Sequence, residues 1–295
     1  MTSALLSRRS ALLSMASAAS VSVIAPGFAF AASPMEAAHK INVAGRQRML
    51  SQRMSRAVIY THLGIEPEHH LTLLQSSYRD FDKALIGLRE GDADLGVPAE
   101  ESLAVRECLT AVDLTWIDFG TRMTQIMMNG SATAEDVRFV ARSNEKLLML
   151  SDKVVKEIVS VYSNRDVEPG RAVSIDVAGR QRMLSQKIAK EAGLSVFEDG
   201  SKDACARLTD AINLFDMSLS ALINGLPTVT LPAPPAPVLS KLKEVETIWR
   251  DYRPIAERIA EMERASQDDL LTIALKSDPL LVTMHDAVQL YEAAP

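Results

Sequence analysis

Apolar residues recur along this chain at three- and four-residue spacing, the period of a helix with one buried face, and scarcely anywhere at the alternating spacing of a strand. The pattern predicts eight helices, at roughly 36–63, 68–90, 99–129, 133–163, 171–197, 201–224, 237–265 and 267–292. Glycine and proline punctuate it: Gly64 to Pro67, Gly91 to Pro98, Asn129-Gly130, Asp199-Gly200, and the proline-rich run 226–237. Ser131 and Ser266 stand where helix N-caps are expected. The one Val/Thr-rich stretch, 228–231, is flanked by prolines and does not suit a central strand. The chain therefore reads as all-α.

The eight helices fall into two sets of four. Residues 41–52 read INVAGRQRMLSQ and residues 175–186 read IDVAGRQRMLSQ, differing only at Asn42 and Asp176. The echo continues downstream: Phe81-Asp82 matches Phe215-Asp216, Gly91 matches Gly225, Trp116 matches Trp249, and Leu147-Leu148 matches Leu280-Leu281. Agreement over so long a stretch with a single gap is an internal duplication. We expect two tandem four-helix bundles, spanning 36–165 and 170–293. An even number of helices ends near where the first began, and the link between the units is short. The second unit's first helix then starts beside the first unit's, so the bundles pack side by side about a pseudo-two-fold axis. The rival arrangement stacks them end to end.

A helix that needs only an apolar stripe has no packing reason to repeat Arg, Gln, Arg, Ser and Gln in order. At 100° per residue, Val43, Leu50, Met54 and Ala57 share the face assigned to the home bundle. Ile41, Ala44, Gly45, Arg48, Ser51, Gln52 and Ser55 form another, matched by Ile175, Ala178, Gly179, Arg182, Ser185, Gln186 and Ala189. Small residues let two helices approach closely. Mid-helix glycine costs about 1 kcal/mol relative to alanine, so it needs a reason. Main chain left open to a ligand at Gly45 and Gly179 would be one. Arg48 and Arg182 are expected to meet across the seam with a small planar anion between them, because guanidinium's donor fork suits planar oxyanions. Arg46 and Arg180, on the far side of the helix, are expected to pair with Asp82 and Asp216.

Before these helices comes a different kind of segment. Residues 1–31 carry Arg8-Arg9, a soft Ala/Ser/Leu stretch and a small-x-small ending at Ala29-Phe30-Ala31. This is the pattern of a cleaved export signal, with partial twin-arginine character, and it implies a periplasmic product. Its removal takes the net charge from −6 to −8, which argues against nucleic acid or anionic lipid as partner. No segment of the mature chain reads as a membrane span. Cys108 and Cys205 occupy inequivalent places in the two repeats, which favours two buried thiols over a disulfide.

The phrase AGRQRMLSQ resembles the hallmark of the PilJ-type domain, the N-terminal sensor domain of type IV pili methyl-accepting chemotaxis transducers. That family is similar in turn to the periplasmic sensor domain of NarX-type nitrate/nitrite kinases. The resemblance covers both repeats. It implies four-helix bundles with an anion between paired first helices, held by one arginine from each and by main chain near a motif glycine. Those roles would fall on Arg48 and Arg182, and on Gly45 and Gly179; Ala44, Ala178, Gln52 and Gln186 complete the candidate ligand-binding set. It also implies a membrane-bound sensor or chemoreceptor as partner.

The remaining chemistry-bearing residues carry less. His62, His69 and His70 with Glu66 and Glu68 cluster between the first two helices, without diagnostic metal spacing, and suit a surface turn. Trp116, Trp249, Phe81 and Phe215 suit core anchors. No nucleophile elbow, phosphate loop or dinucleotide fingerprint is present. The expectation is a non-enzymatic periplasmic protein that binds or senses a small oxyanion, nitrate or nitrite first, with no catalytic residues, metal or cofactor. Two alternatives stand beside it: a structural or interaction module whose seam glues two bundles, and a metal- or haem-carrying bundle.

Overall fold

The computed structural model describes residues 34–162, 167–197 and 202–294, and the expected export signal at 1–31 lies outside them. Among the described residues eight α-helices form: α1 (Pro34–His62), α2 (Pro67–Glu90), α3 (Leu103–Asn129), α4 (Ala134–Tyr162), α5 (Pro169–Leu194), α6 (Lys202–Asn224), α7 (Ala236–Met262) and α8 (Gln267–Ala293). Among the described residues no strand forms. Two isolated bridges, Asp92 with Val97 and Leu226 with Leu231, close the corresponding loops of the two repeats.

The helices form two antiparallel bundles, α1–α4 and α5–α8, and these lie side by side with α1 against α5. The consequence shows in the burial pattern. An outer helix such as α4 buries a single stripe, with Val137, Val140, Leu147, Val154 and Ile158 facing in. The motif helices are enclosed on every side, so Val43, Ala44, Gln47, Arg48, Leu50, Ser51 and Met54 are all buried. One face serves the home bundle and the opposite face serves the sister helix. Sequences with that double duty cannot show a clean apolar stripe, and the polar residues of the repeated phrase are the exception to it.

Each bundle is held by the same side-chain bonds. Phe81 stacks on Trp116 and Phe215 packs on Trp249, each with ring centroids 4.2 Å apart. The indole N–H groups donate to Asp82 at 2.9 Å and Asp216 at 2.5 Å. These carboxylates are therefore not the partners of the motif arginines, as the sequence led us to expect. Arg46 instead faces Asp80 at 3.6 Å, and Arg180 faces Asp176 at 3.1 Å and Asp152 at 3.6 Å. The physical reason is the competing donor: a buried indole N–H needs an acceptor, and these acids supply one. Gln47 and Gln181 each donate to the carbonyl of the phenylalanine across the bundle, both at 2.9 Å. Losing such a buried partner costs about 1–3 kcal/mol, which accounts for the repeated glutamine.

Helix ends follow the same duplication. Ser266 caps α8 in a reciprocal box with Asp269. The matching cap of α4 is Thr133, which exchanges bonds with Asp136 at 2.7 and 3.2 Å, rather than the expected Ser131. Thr133 and Asp136 sit at the same spacing as Ser266 and Asp269, so the box is what the repeat keeps. Cys108 and Cys205 are both free and buried.

Candidate functional site

The close packing of α1 on α5 sets Gly45 and Gly179 in the interior of two facing helices. A methyl placed on Gly45 would lie 3.4 Å from Nη2 of Arg48 and 3.6 Å from Nη2 of Arg182. One placed on Gly179 would lie 3.2 and 3.5 Å from the same two nitrogens. Both guanidinium tips therefore converge over both glycines, and the Gly45 distances alone cap their separation at 7.0 Å. The expectation that glycine opens main chain to a ligand is thus refined: the space over it is taken by the arginine tips. Ala44 and Ala178 are fully buried beside them.

The two arginines are equally buried, each 1% exposed, yet differently served. Nη1 of Arg48 donates to Asp152 of α4 at 2.8 Å and to Asp176 of α5 at 2.7 Å, and Nη2 reaches the Asp176 carbonyl at 3.3 Å. Asp152 is held below the ordinary carboxylate range; burial works against this, but Lys156, Arg48 and Arg180 outweigh it. Arg182 has no carboxylate within ion-pair distance among the described residues. Its Nη1 donates to Nδ1 of His285 at 3.1 Å, while Nε and Nη2 are buried without a partner.

The asymmetry is written in the two repeats. His285 occupies in α8 the register that Asp152 occupies in α4, and Asn42 occupies in α1 the register of Asp176 in α5. Both acids that serve Arg48 are thus neutral residues in the half that serves Arg182. The acid whose charge acts on Arg182, Glu292, is engaged by the His39 ring through one oxygen and by the Asn42 amide through the other. Desolvation, with Arg46 and Arg48 as like-charge neighbours, pulls the Arg182 pKa down to about 9. Burial, with Arg182 and Arg46 nearby, pulls His285 down to about 4. His285 is then the neutral tautomer whose Nδ1 accepts from Arg182.

Between α1 and α8 a cleft of about 300 Å³, lined by His39, Asn42, Arg46, His285, Gln289 and Glu292 among others, runs in from the surface to His285. It leads towards the underserved arginine.

One turn further along, Gln52 and Gln186 are spent on the frame. Nε2 of Gln52 donates to Asn144 at 2.8 Å, and Oε1 of Gln186 accepts from Arg56 at 2.9 Å. Beyond them lies a feature that sequence reasoning missed. Arg56 of α1, fully buried, reaches Asp278 of α8 at 3.2 Å, and Arg53 approaches the same acid at 3.8 Å. In mirror fashion Lys190 and Lys187 of α5 reach Glu145 of α4 at 2.9 and 3.0 Å. Each motif helix thus grips the last helix of the opposite bundle. The signal was present, since Arg53 and Arg56 match Lys187 and Lys190 while Glu145 matches Asp278. The histidine cluster divides: His62 bonds the Ala132 carbonyl and His69 lies near Asp278, but His70 is fully buried against Tyr60 and is no surface residue. No group of three metal-ligating side chains occurs among the described residues.

A tandem pair of four-helix bundles, joined through motif helices that bring one arginine from each half together, is the class this architecture defines. Residues 31–139 and 166–272 both match the PilJ family, the N-terminal domain of type IV pili methyl-accepting chemotaxis transducers, and the chain belongs to that family. It is also 32% identical, over 136 residues, to methyl-accepting chemotaxis protein McpN of Pseudomonas aeruginosa. That stretch covers 46% of this chain and 24% of the relative. Among the described residues no helix is long and apolar enough to cross a membrane.

Proposed function

We propose that this protein binds a small oxyanion, nitrate or nitrite first, at the seam between α1 and α5, and that the bound state is read by a membrane-bound chemoreceptor or sensor. Arg182 supplies the free charge, Arg48 the second guanidinium, and Gly45 and Gly179 the room in which the tips meet. The observation that carries the reading is Arg182 itself, a cation 1% exposed with two nitrogens unpaired. A buried charge without a partner is costly, and a ligand of opposite sign removes the cost. Two guanidinium tips no more than 7.0 Å apart repel by roughly 2 kcal/mol or more at an effective dielectric of 20, whereas each cation–anion contact near 4 Å returns about 4 kcal/mol before desolvation. The anion wins that comparison. Export to the periplasm follows from the leader pattern in the sequence, and the role is recognition without catalysis.

Calorimetric titration of the purified protein with nitrate, nitrite, chloride and sulfate tests the proposal. Binding by at least one anion is expected, lost in Arg182→Ala while helix content by circular dichroism is kept. At a hundredfold excess over Kd the ligand should add about 2.7 kcal/mol of stability. No heat from any anion at millimolar concentration would end the reading. The rival reading, a purely structural seam, draws support from Arg48, which two carboxylates of the chain already serve. It expects Arg182→Ala to change stability with no anion effect at all.

A further inference from the structure

The one position at which the twelve-residue phrases differ lies at the seam, and it changes charge. We propose that Asp176 and Asn42 set the charge selectivity of the seam: Asp176 neutralises Arg48 from within the chain, and Asn42 leaves Arg182 to a single monovalent anion. This rests on the anion site proposed above and names the class of ligand it takes.

The argument is a local count of charge. Arg48 faces two carboxylates at hydrogen-bond distance, Asp152 and Asp176, and Asp176 comes from the opposite bundle. Arg180 shares both acids, and Lys156 pairs with Asp152 from a position 64% exposed, where solvent screens its charge, so the buried part of that side stays close to balance. The matching places around Arg182 hold His285 and Asn42, neither charged when the imidazole is neutral. Asn42 does more than lack a charge. Its Nδ2 donates to Glu292, whose other oxygen is held by His39, so an acid whose charge reaches Arg182 is turned to other partners. Asn42 Oδ1 is left buried without a partner on the same side. One positive charge remains uncompensated, on Arg182. A monovalent oxyanion balances it. A divalent one would bring an excess negative charge into the neighbourhood of Asp176 and Asp152.

Coulomb energy scales with the product of charges, so removing the Asp176 charge must favour a dianion twice as strongly, on a logarithmic scale, as a monoanion. Titration of the full chain with sodium nitrate and sodium sulfate, in wild type, Asp176→Asn and Asn42→Asp, reads this directly. Wild type is expected to prefer nitrate. Asp176→Asn, which makes the two phrases identical, should bind nitrate about tenfold and sulfate about a hundredfold more tightly, by that charge argument. Asn42→Asp gives Arg182 an acid of its own. It should lose nitrate binding by about tenfold or more while melting at higher temperature without added anion.

The inference is overturned if wild type binds nitrate through Arg182 but the nitrate-to-sulfate ratio in Asp176→Asn stays as in wild type. Unchanged nitrate affinity in Asn42→Asp overturns it equally. If wild type binds neither anion yet Asp176→Asn binds sulfate, the seam reading is retained with Asp176 as its internal occupant and the preference for a monovalent anion is wrong. If none of the three proteins binds, the site and its selectivity fall together. Circular dichroism melts identify a variant that fails to fold, and in that event Asp152→Asn, which removes the other acid from Arg48, replaces Asp176→Asn in the same comparison.

Discussion

Two glycines of α5 separate binding from packing at the level of single residues. A methyl at Gly179 meets only the flexible ends of Arg48 and Arg182, at 3.2 and 3.5 Å. Gly179→Ala should therefore keep stability or raise it by up to about 1 kcal/mol through helix propensity, while displacing the tips and weakening anion binding. At Gly193 a methyl would lie 2.8 Å from Ile59 and 2.9 Å from the Tyr60 ring, both packed in the seam. Gly193→Ala should destabilise by about 1–3 kcal/mol, the usual cost of overfilling a core. Thermal melts together with nitrate titration check the pair, and equal loss of stability in both variants would refute the distinction. Arg48, Arg182, Gly45 and Gly179 were legible in the sequence because duplication repeated polar residues that packing does not require. What Gln47 does was not, since its partner is a main-chain carbonyl that any residue at position 81 would offer. Lys40 was equally hidden: its buried bond to Glu100 at 3.1 Å has no counterpart in the second repeat, where Ser174 stands.

The helices are tied across the seam by acids whose protonation can be followed. The Glu145 carboxyl resists desolvation because Lys190 and Lys187 hold its pKa down to about 2. Asp278 is likewise lowered, with Arg56 outweighing its burial. A depressed carboxylate contributes stability above its unfolded value near 4.5 and loses it as pH falls towards 2. His285 and His70, held neutral at about 4 and about 3, act earlier. The unfolded chain binds their protons first, so stability declines as pH drops below about 6.5. His39, raised by its hydrogen bond to Glu292, acts in a different window: its contribution is complete below about 6.5 and is lost as pH rises above that value. Urea midpoints should thus fall in two stages, one between pH 6.5 and 4 and a second below 4.5. Glu145→Gln should be less stable than wild type at pH 7 and should flatten the second stage; a parallel shift at every pH would contradict the assignment. Helix positions themselves were readable from periodicity, and α7 and α8 run unbroken through Pro254 and Pro279 as the apolar spacing predicted. The cap at Thr133 was misread although Thr133 and Asp136 stand at capping-box spacing, because Ser131 follows Gly130 directly and offers a cap residue closer to the break.

At the scale of the whole molecule, the seam is a subunit interface placed within one chain. Arg48, Arg56, Arg182 and Lys190 are all at most 3% exposed, and each depends on residues of the other half or lies against them. Separating the halves would expose a face bearing these cations alongside Ala44, Ala178 and Ala189. It would also strip Asp278 from Arg56 and Glu145 from Lys190. Removing one partner of a buried ion pair costs about 3–5 kcal/mol, comparable to a large share of the 5–15 kcal/mol that stabilises a typical domain. Neither half should then persist as a folded monomer. Residues 32–165 and 166–295, expressed together as separate chains, are expected to copurify one to one and, on the proposed anion site, to bind nitrate only as the pair. Expressed alone, each should form a self-associated dimer or aggregate on size-exclusion chromatography. A single half that runs as a monomer with native helix content and a cooperative melt would show that the two bundles merely touch. The arginine seam would then be an accident of tandem repetition rather than the interface that organises the protein.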